Sequence, residues 1–190
     1  NNLVIEKAGP AAFLGKLSGN AVAKNLTFGE GCAFTSTGTT DGTSLTQGRV
    51  YAAALTCEAR GGAAFENIVN YGTVVGNHEG VKDKGNYIGG ICGSLGSEET
   101  VTISGCKNYG NITFSAKPIV WSSAGGLFGE VTKETITVSN CQNFGQVLFN
   151  GDSNNGFSVN LAGISGGANA ALFVNCTNQG TIKSVAATAA

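Results

Sequence analysis

The stretch T-I-T-V-S-N-C-Q-N-F-G-Q-V, residues 135–147, decides how this chain folds. Its first five residues alternate polar and apolar with period two, the mark of a half-buried strand. Asn143-Phe144-Gly145 reads as a bend, and Q-V-L-F (146–149) as a second short strand. The same order recurs as C-K-N-Y-G-N-I at 106–112, C-T-N-Q-G-T-I at 176–182, and I-V-N-Y-G-T-V at 68–74, where Ile68 replaces Cys. The spacings are 38, 35 and 35 residues. A second segment keeps step with the first: I-G-G-I-C-G (88–93), A-G-G-L-F-G (124–129), L-A-G-I-S-G (161–166) and a degenerate A-A-A-L-T-C (52–57). Fainter copies, A-A-F-L-G (11–15) and K-N-L-T-F-G (24–29), make a divergent first repeat.

A period near 35 residues also suits helix pairs. The glycine load and the period-two stretches exclude them, because Gly and β-branched residues disfavour helix. A propeller blade needs four antiparallel strands and a longer repeat. The repeat therefore predicts an all-β, parallel β-helix (β-solenoid) of about five coils, with strands stacked about 4.8 Å apart. Equivalent residues then form ladders. Leu55, Ile91, Leu127 and Ile164 make one apolar column, and Val74, Ile112, Val147 and Ile182 another. Ile103 and Val138 belong to a third, with Val101 and Ile136 beside it. The predicted division is a divergent coil or cap at 1–47, four repeats over 48–182 (about 48–86, 87–122, 123–159 and 160–182), and a tail at 183–190.

Composition agrees. Glycine makes up 30 of 190 residues, roughly twice the usual ~7 %. Charged residues are 12 % and the net charge is −1, which offers no basic face for nucleic-acid phosphates. Hydrophobic residues at 42 % exceed what a disordered chain carries. No apolar run approaches the roughly 20 residues of a membrane helix. The lack of Met reads as a processed or excised piece of a longer precursor.

The run Gly125-Gly126-Leu127-Phe128-Gly129, followed by I-x-V-x-N-C-x-N-x-G-x-V (136–147), resembles the GLUG-type repeats of large secreted and surface-anchored bacterial proteins. The resemblance covers about residues 48–182, with both half-motifs in the same order and phase. It departs at Ala53-Ala54 and Ala162-Gly163, where the paired Gly would stand, and in the first 47 residues. It implies a right-handed β-solenoid scaffold at the cell surface and no catalytic residues. Right-handedness also agrees with the usual crossover rule.

Each candidate residue carries a structural and a functional reading. The column Asn70, Asn108, Asn143 and Asn178 precedes a Gly by two places, so stacked amides at a bend are expected, with left-handed backbone there. Cys106, Cys141 and Cys176 share a column with Ile68, which implies an interior setting. Simple alternation from Val138 would point Cys141 outward, so a kink is needed near Ser139 or Asn140. Cys32, Cys57 and Cys92 fit no common column. With one His and no C-x-x-C, zinc has little support, leaving buried thiols or inter-coil disulfides. Tyr71, Tyr109 and Phe144 read as a stack across coils or as a platform for sugar rings. Thr100, Thr102, Thr135 and Thr137 form a Thr-x-Thr array only two coils deep, too short for an ice-binding face.

Variable loops at about 35–47, 76–87, 115–123 and 150–160 fall at one phase of the repeat, hence on one edge. They carry His78, Asp83, Asp152 and the sole Trp, Trp121. These are weak partner- or glycan-contact candidates, together with Tyr71 and Tyr109. The alternative for Trp121 is packing down over the coil edge. A polysaccharide lyase or hydrolase needs clustered carboxylates or a Ca²⁺ site, and the 12 acidic residues are scattered. Asn25, Asn111 and Asn175 head glycosylation sequons, which a repeat rich in Asn and Thr produces by chance. The expectation is a non-enzymatic extracellular module without cofactor or metal: a rigid spacer presenting loops to a surface protein or glycan. The alternatives are a carbohydrate-binding module and a filament subunit whose copies stack end to end.

Overall fold

The computed structural model describes residues 2–38, 50–78, 85–97, 99–116, 121–133, 135–151 and 158–186. Among them there is no helix. One coil shows the plan. It runs through Ser122–Gly125, Phe128–Val131, Ile136–Ser139, Gln142–Asn143 and Val147–Gly151, and the next resumes at Val159. Each strand pairs in parallel with its equivalents in the coils before and after. Five ladders result, here numbered I to V in coil order, with four, five, five, five and six strands. Ala52 lies opposite Ile88 and Cys92 opposite Phe128, each 36 residues on. The chain is a β-solenoid.

The coil count departs slightly from five equal turns. The three coils from Tyr51 to Gly151 are covered on both faces. The coil from Val159 has all five strands but a bare outer face. The first coil supplies strands to ladders II to V and only an Ala11–Ala52 bridge to ladder I, while Val4–Ala8 adds a sixth strand to ladder V. At the other end, Ile182–Ala186 pairs with Val147–Gly151, so the coil continues past residue 182 and residues 183–186 are no tail.

The columns are the core. Leu55, Ile91 and Leu127 are fully buried, as are Val74, Ile112 and Val147. Ile164 and Ile182 continue these columns but are partly exposed, because no coil covers them. Ile103 faces Val138 and Val101 faces Ile136, all buried. The register also explains the low charge. Side chains one strand apart lie within ~5 Å, where like charges repel. Where charges do stack, the signs oppose: Lys16 on Glu58, and Lys24 on Glu66 with an ion pair of 2.7 Å.

Candidate functional site

Two rows rich in asparagine run along the stack. The inner row is Asn70, Asn108, Asn143 and Asn178. Asn70 Nδ2 donates to Asn108 Oδ1 at 2.8 Å, Asn108 to Asn143 at 2.9 Å, and Asn143 to Asn178 at 2.8 Å. Each amide also donates to the carbonyl of the Gly two residues on, at 2.8–2.9 Å. The first three are fully buried, so these bonds satisfy groups that would otherwise be costly to bury. In the first coil Phe28 occupies this position, against Phe13 and Phe34, and closes the row.

Left-handed backbone lies elsewhere than expected. The inner Asn and their Gly have ordinary φ. Asn25, Asn67, Gly105, Asn140 and Asn175 have φ of 53–65°, each three places before an inner-row position; Gly19, Gly61 and Ala170 share this conformation at another turn, ahead of ladder III. The first five immediately precede the column Leu26, Ile68, Cys106, Cys141 and Cys176. The turn at Asn140 is the required kink, and it sends Cys141 inward. The sequence held the signal: an Asn-or-Gly alternation just before the Cys column, the two residue types that tolerate this conformation. The glycine of Asn-x-Gly serves another purpose. A Cβ on Gly110 would run into the carbonyl oxygen of Gly72, one on Gly145 into that of Gly110, and one on Gly180 into that of Gly145.

The two repeated half-motifs meet in space. At the paired Gly, ladders I and II fold back so closely that a Cβ on Gly89 or Gly125 would strike the backbone of the returning strand. The second Gly of each pair abuts the inner row: Gly90 lies against Asn108, Gly126 against Asn143, and Gly163 against Asn178. That contact is why the two motifs recur in phase.

The cysteines are free thiols. Cys106 and Cys141 are buried, the Cys106 N–H pointing at Cys141 Sγ at 3.4 Å, while Cys176 is partly exposed on the last coil. Cys32 stands in the Gly72–Gly110 column, and Cys57 and Cys92 lie one column apart in ladder II. Burial pushes the Cys57 thiol up to about 12, with Lys7 opposing and Glu58 adding. Burial also raises Cys92, with Cys57 adding. Cys141 is raised first by its hydrogen bond with Cys106 and then by burial. A thiol with a folded pKa above its unfolded value of about 9 stabilises the fold fully below pH 9. That contribution is lost as pH rises from 9 toward 12. We expect Tm to hold from pH 7 to 8.5 and then fall, with a shallower fall in Cys57→Ala. Ellman titration of the native protein at pH 8 should leave Cys57 and Cys92 unreacted.

The aromatic row is a near-parallel stack. Tyr71 and Tyr109 centroids are 4.7 Å apart at 8°, and Tyr109 and Phe144 are 4.5 Å apart at 3°. Tyr71 and Tyr109 are 39 % and 38 % exposed. Stacking along the solenoid axis turns the faces of Tyr109 toward its neighbours, so solvent meets mainly ring edges. A sugar platform needs free faces; this row instead adds about 0.5–1.5 kcal/mol per pair to coil cohesion. Tyr109→Ala should cost about 1–3 kcal/mol in urea unfolding, since it removes both contacts.

The strands of ladder V end at Thr37, His78, Ala116 and Gly151 and those of ladder I begin at Tyr51, Asn86, Ser122 and Val159, so these strand ends all stand at one edge of the stack. Asp83 and Asp152 lie outside the described residues, as do Asp41, Lys82, Lys117 and Pro118. His78 ends the strand Thr73–His78, and its side chain also lies outside the description. Trp121 opens ladder I at this edge and is 77 % exposed, so it does not pack down. Behind it, Asn86 is fully buried, accepting from the Val50 N–H at 3.1 Å and donating to Ser122 Oγ at 2.9 Å. The repeat pattern gave no hint of Asn86, because its column reads Val50, Asn86, Ser122, Val159 with no shared type. Beside Trp121 is a hollow of about 190 Å³ bordered by Tyr87, Ser123, Glu130, Asn160 and Asn169. A second hollow is bounded by Arg60, Glu99, Thr132 and Lys133. There Arg60 is already paired with Glu58 at 2.8 Å and with Ser94 Oγ at 3.2 Å.

No group of His, Cys, Asp and Glu suited to holding a metal occurs among the described residues. No described helix is long and apolar enough to cross a membrane. No protein-family model, curated protein or solved structure matches the chain.

Proposed function

We propose that the chain is a non-enzymatic, extracellular structural and adhesive module of the GLUG-type repeat kind. In this reading the coils are a stiff spacer, and the loop edge meets a surface protein or a glycan. The observation that carries it is the unbroken five-ladder stack, whose four insertion points fall on one edge. A stack joined by in-register hydrogen bonds, a continuous core and an amide row has no hinge between coils. Six strands of ladder V span five steps, about 24 Å. The test is the distance between fluorescent labels at Leu3 and Ile182, read by energy transfer. A narrow distribution unchanged from 50 mM to 1 M salt is expected. A broad or salt-dependent one would remove the spacer reading. A carbohydrate-binding role is the second reading, favoured by the exposure of Trp121.

A further inference from the structure

The hollow beside Trp121 arises from a drop in side-chain size along two neighbouring columns. In ladder I the outward column runs Tyr51, Tyr87, Ser123, Asn160. In ladder II it runs Glu58, Ser94, Glu130, Gly167. Tyr87 gives way to Ser123 in one coil and Glu130 to Gly167 in the next, so two small residues stand one coil apart across the two columns. A Cβ on Gly167 would be in van der Waals contact with Glu130 Cγ at 3.4 Å and Ser123 Oγ at 3.5 Å, so a side chain here would fill part of the hollow's floor. Tyr87 walls the hollow on the side of the earlier coil, where it leans on Tyr51 with centroids 5.5 Å apart. Trp121 flanks it from the loop edge, and Asn160 and Asn169 border it on the last coil.

This combination has a chemical meaning. Two aromatic rings border the hollow, and such rings attract polarised C–H groups to their electron-rich faces. Asn160 and Asn169 each bring an amide donor and acceptor, and Ser123 a hydroxyl, a set matched to vicinal hydroxyls. A ligand with an apolar C–H face and a rim of hydroxyls is a pyranose ring. The volume, about 190 Å³, lies below the ~300–1,000 Å³ of sites that enclose a whole drug-sized ligand. The open hollow suits one ring of a longer chain passing over the surface. Among the described residues the lining carries no Lys or Arg to pair with a sugar carboxylate, which disfavours uronic acids.

We propose that this hollow binds one pyranose ring of a neutral glycan, with Trp121 and Tyr87 as the apolar contacts and Asn160 and Asn169 as the hydroxyl partners. The proposal rests on the reading above only in taking the loop edge as the contact face. Trp121 is the sole Trp, so its emission reports this site alone. The probes are cellohexaose, xylohexaose, mannohexaose and chitohexaose, with hexagalacturonate as the acidic contrast. A saturable change in emission with at least one neutral hexaose, at a Kd of about 1 mM or tighter, is expected. By calorimetry, Trp121→Ala should weaken that binding at least about tenfold and Asn160→Ala about fivefold, as loss of one hydrogen bond implies. Tyr109→Ala, in the distant stack, should leave it unchanged. No saturable change with any neutral hexaose overturns the proposal. So does wild-type affinity in Trp121→Ala or Asn160→Ala, or tighter binding of hexagalacturonate than of all four. Failure here with a narrow Leu3–Ile182 distance removes the glycan site and leaves the spacer standing; a broad distance removes the spacer instead.

Discussion

Gly145→Ala should be among the most damaging single substitutions in this protein. The added methyl would sit inside the carbonyl oxygen of Gly110 in the coil before, and 2.9 Å from Asn108 Nδ2. The obstacle is backbone held in a ladder, so no side chain can swing aside. Relief requires the coils to separate locally, which lengthens the bond from Asn108 to Asn143 and those from the Phe144 and Gly145 N–H groups to the Asn108 carbonyl. A loss of about 3–5 kcal/mol is expected, the upper tail of point-mutant effects. Urea unfolding should show it as a lower midpoint at unchanged m. Gly15→Ala is the control. Gly15 lies in a strand with nothing within 4 Å of its would-be Cβ and no left-handed φ, so its effect should stay within about 0.5 kcal/mol. Equal effects at the two sites would refute the close-approach account of the Asn-x-Gly motif.

Asn108→Asp changes one atom and should cost about as much. Asn108 is fully buried, with its Nδ2 shared between Asn143 Oδ1 and the Gly110 carbonyl, both acceptors. A carboxylate there faces two acceptors with nothing to donate and carries an unpaired buried charge, worth about 3–5 kcal/mol of destabilisation. The new acid's folded pKa must then lie above its unfolded value of about 3.9. Raising pH through the folded pKa therefore removes stability, and acid restores part of it because the protonated form can donate once. The variant should be less impaired, relative to wild type, at pH 4 than at pH 7. Asn178→Ala is the internal comparison. Asn178 is exposed on the bare coil, so its truncation should cost no more than about 1 kcal/mol. A pH-independent deficit in Asn108→Asp would mean that the row does not depend on donor direction.

How much of this was legible in the sequence follows from how a solenoid writes itself. In-register stacking repeats an environment once per coil, so any residue fixed by its vertical neighbours becomes a column. Leu55–Ile91–Leu127, the inner Asn row and the Cys column were visible for that reason. Lateral contacts within a coil leave no such trace. Gly126 and Asn143 touch across 17 residues of chain, and only their shared phase hinted at it. The left-handed turn was placed on the wrong Asn, because both Asn rows repeat and only backbone angles separate them. The hollow beside Trp121 was invisible, since it arises where two columns stop repeating. Asn86 escaped for the same reason: its partners are a backbone N–H and a serine, not another Asn.

The inner row also gives the molecule a direction. Every amide in it points the same way, Nδ2 of one coil toward Oδ1 of the next, so its dipoles add head to tail along the axis. One terminus of this wire is sealed by the Phe28 ring; the other is Asn178, exposed on the last coil. Two copies set end to end in the same orientation would bring that amide against an aromatic cap instead of an acceptor. The row thus behaves as a one-way coupling, open to a coil that offers an amide oxygen and mismatched to the module's own opposite end. Head-to-tail repetition of this chain therefore gains nothing from the row, because Phe28 offers the Asn178 amide no acceptor.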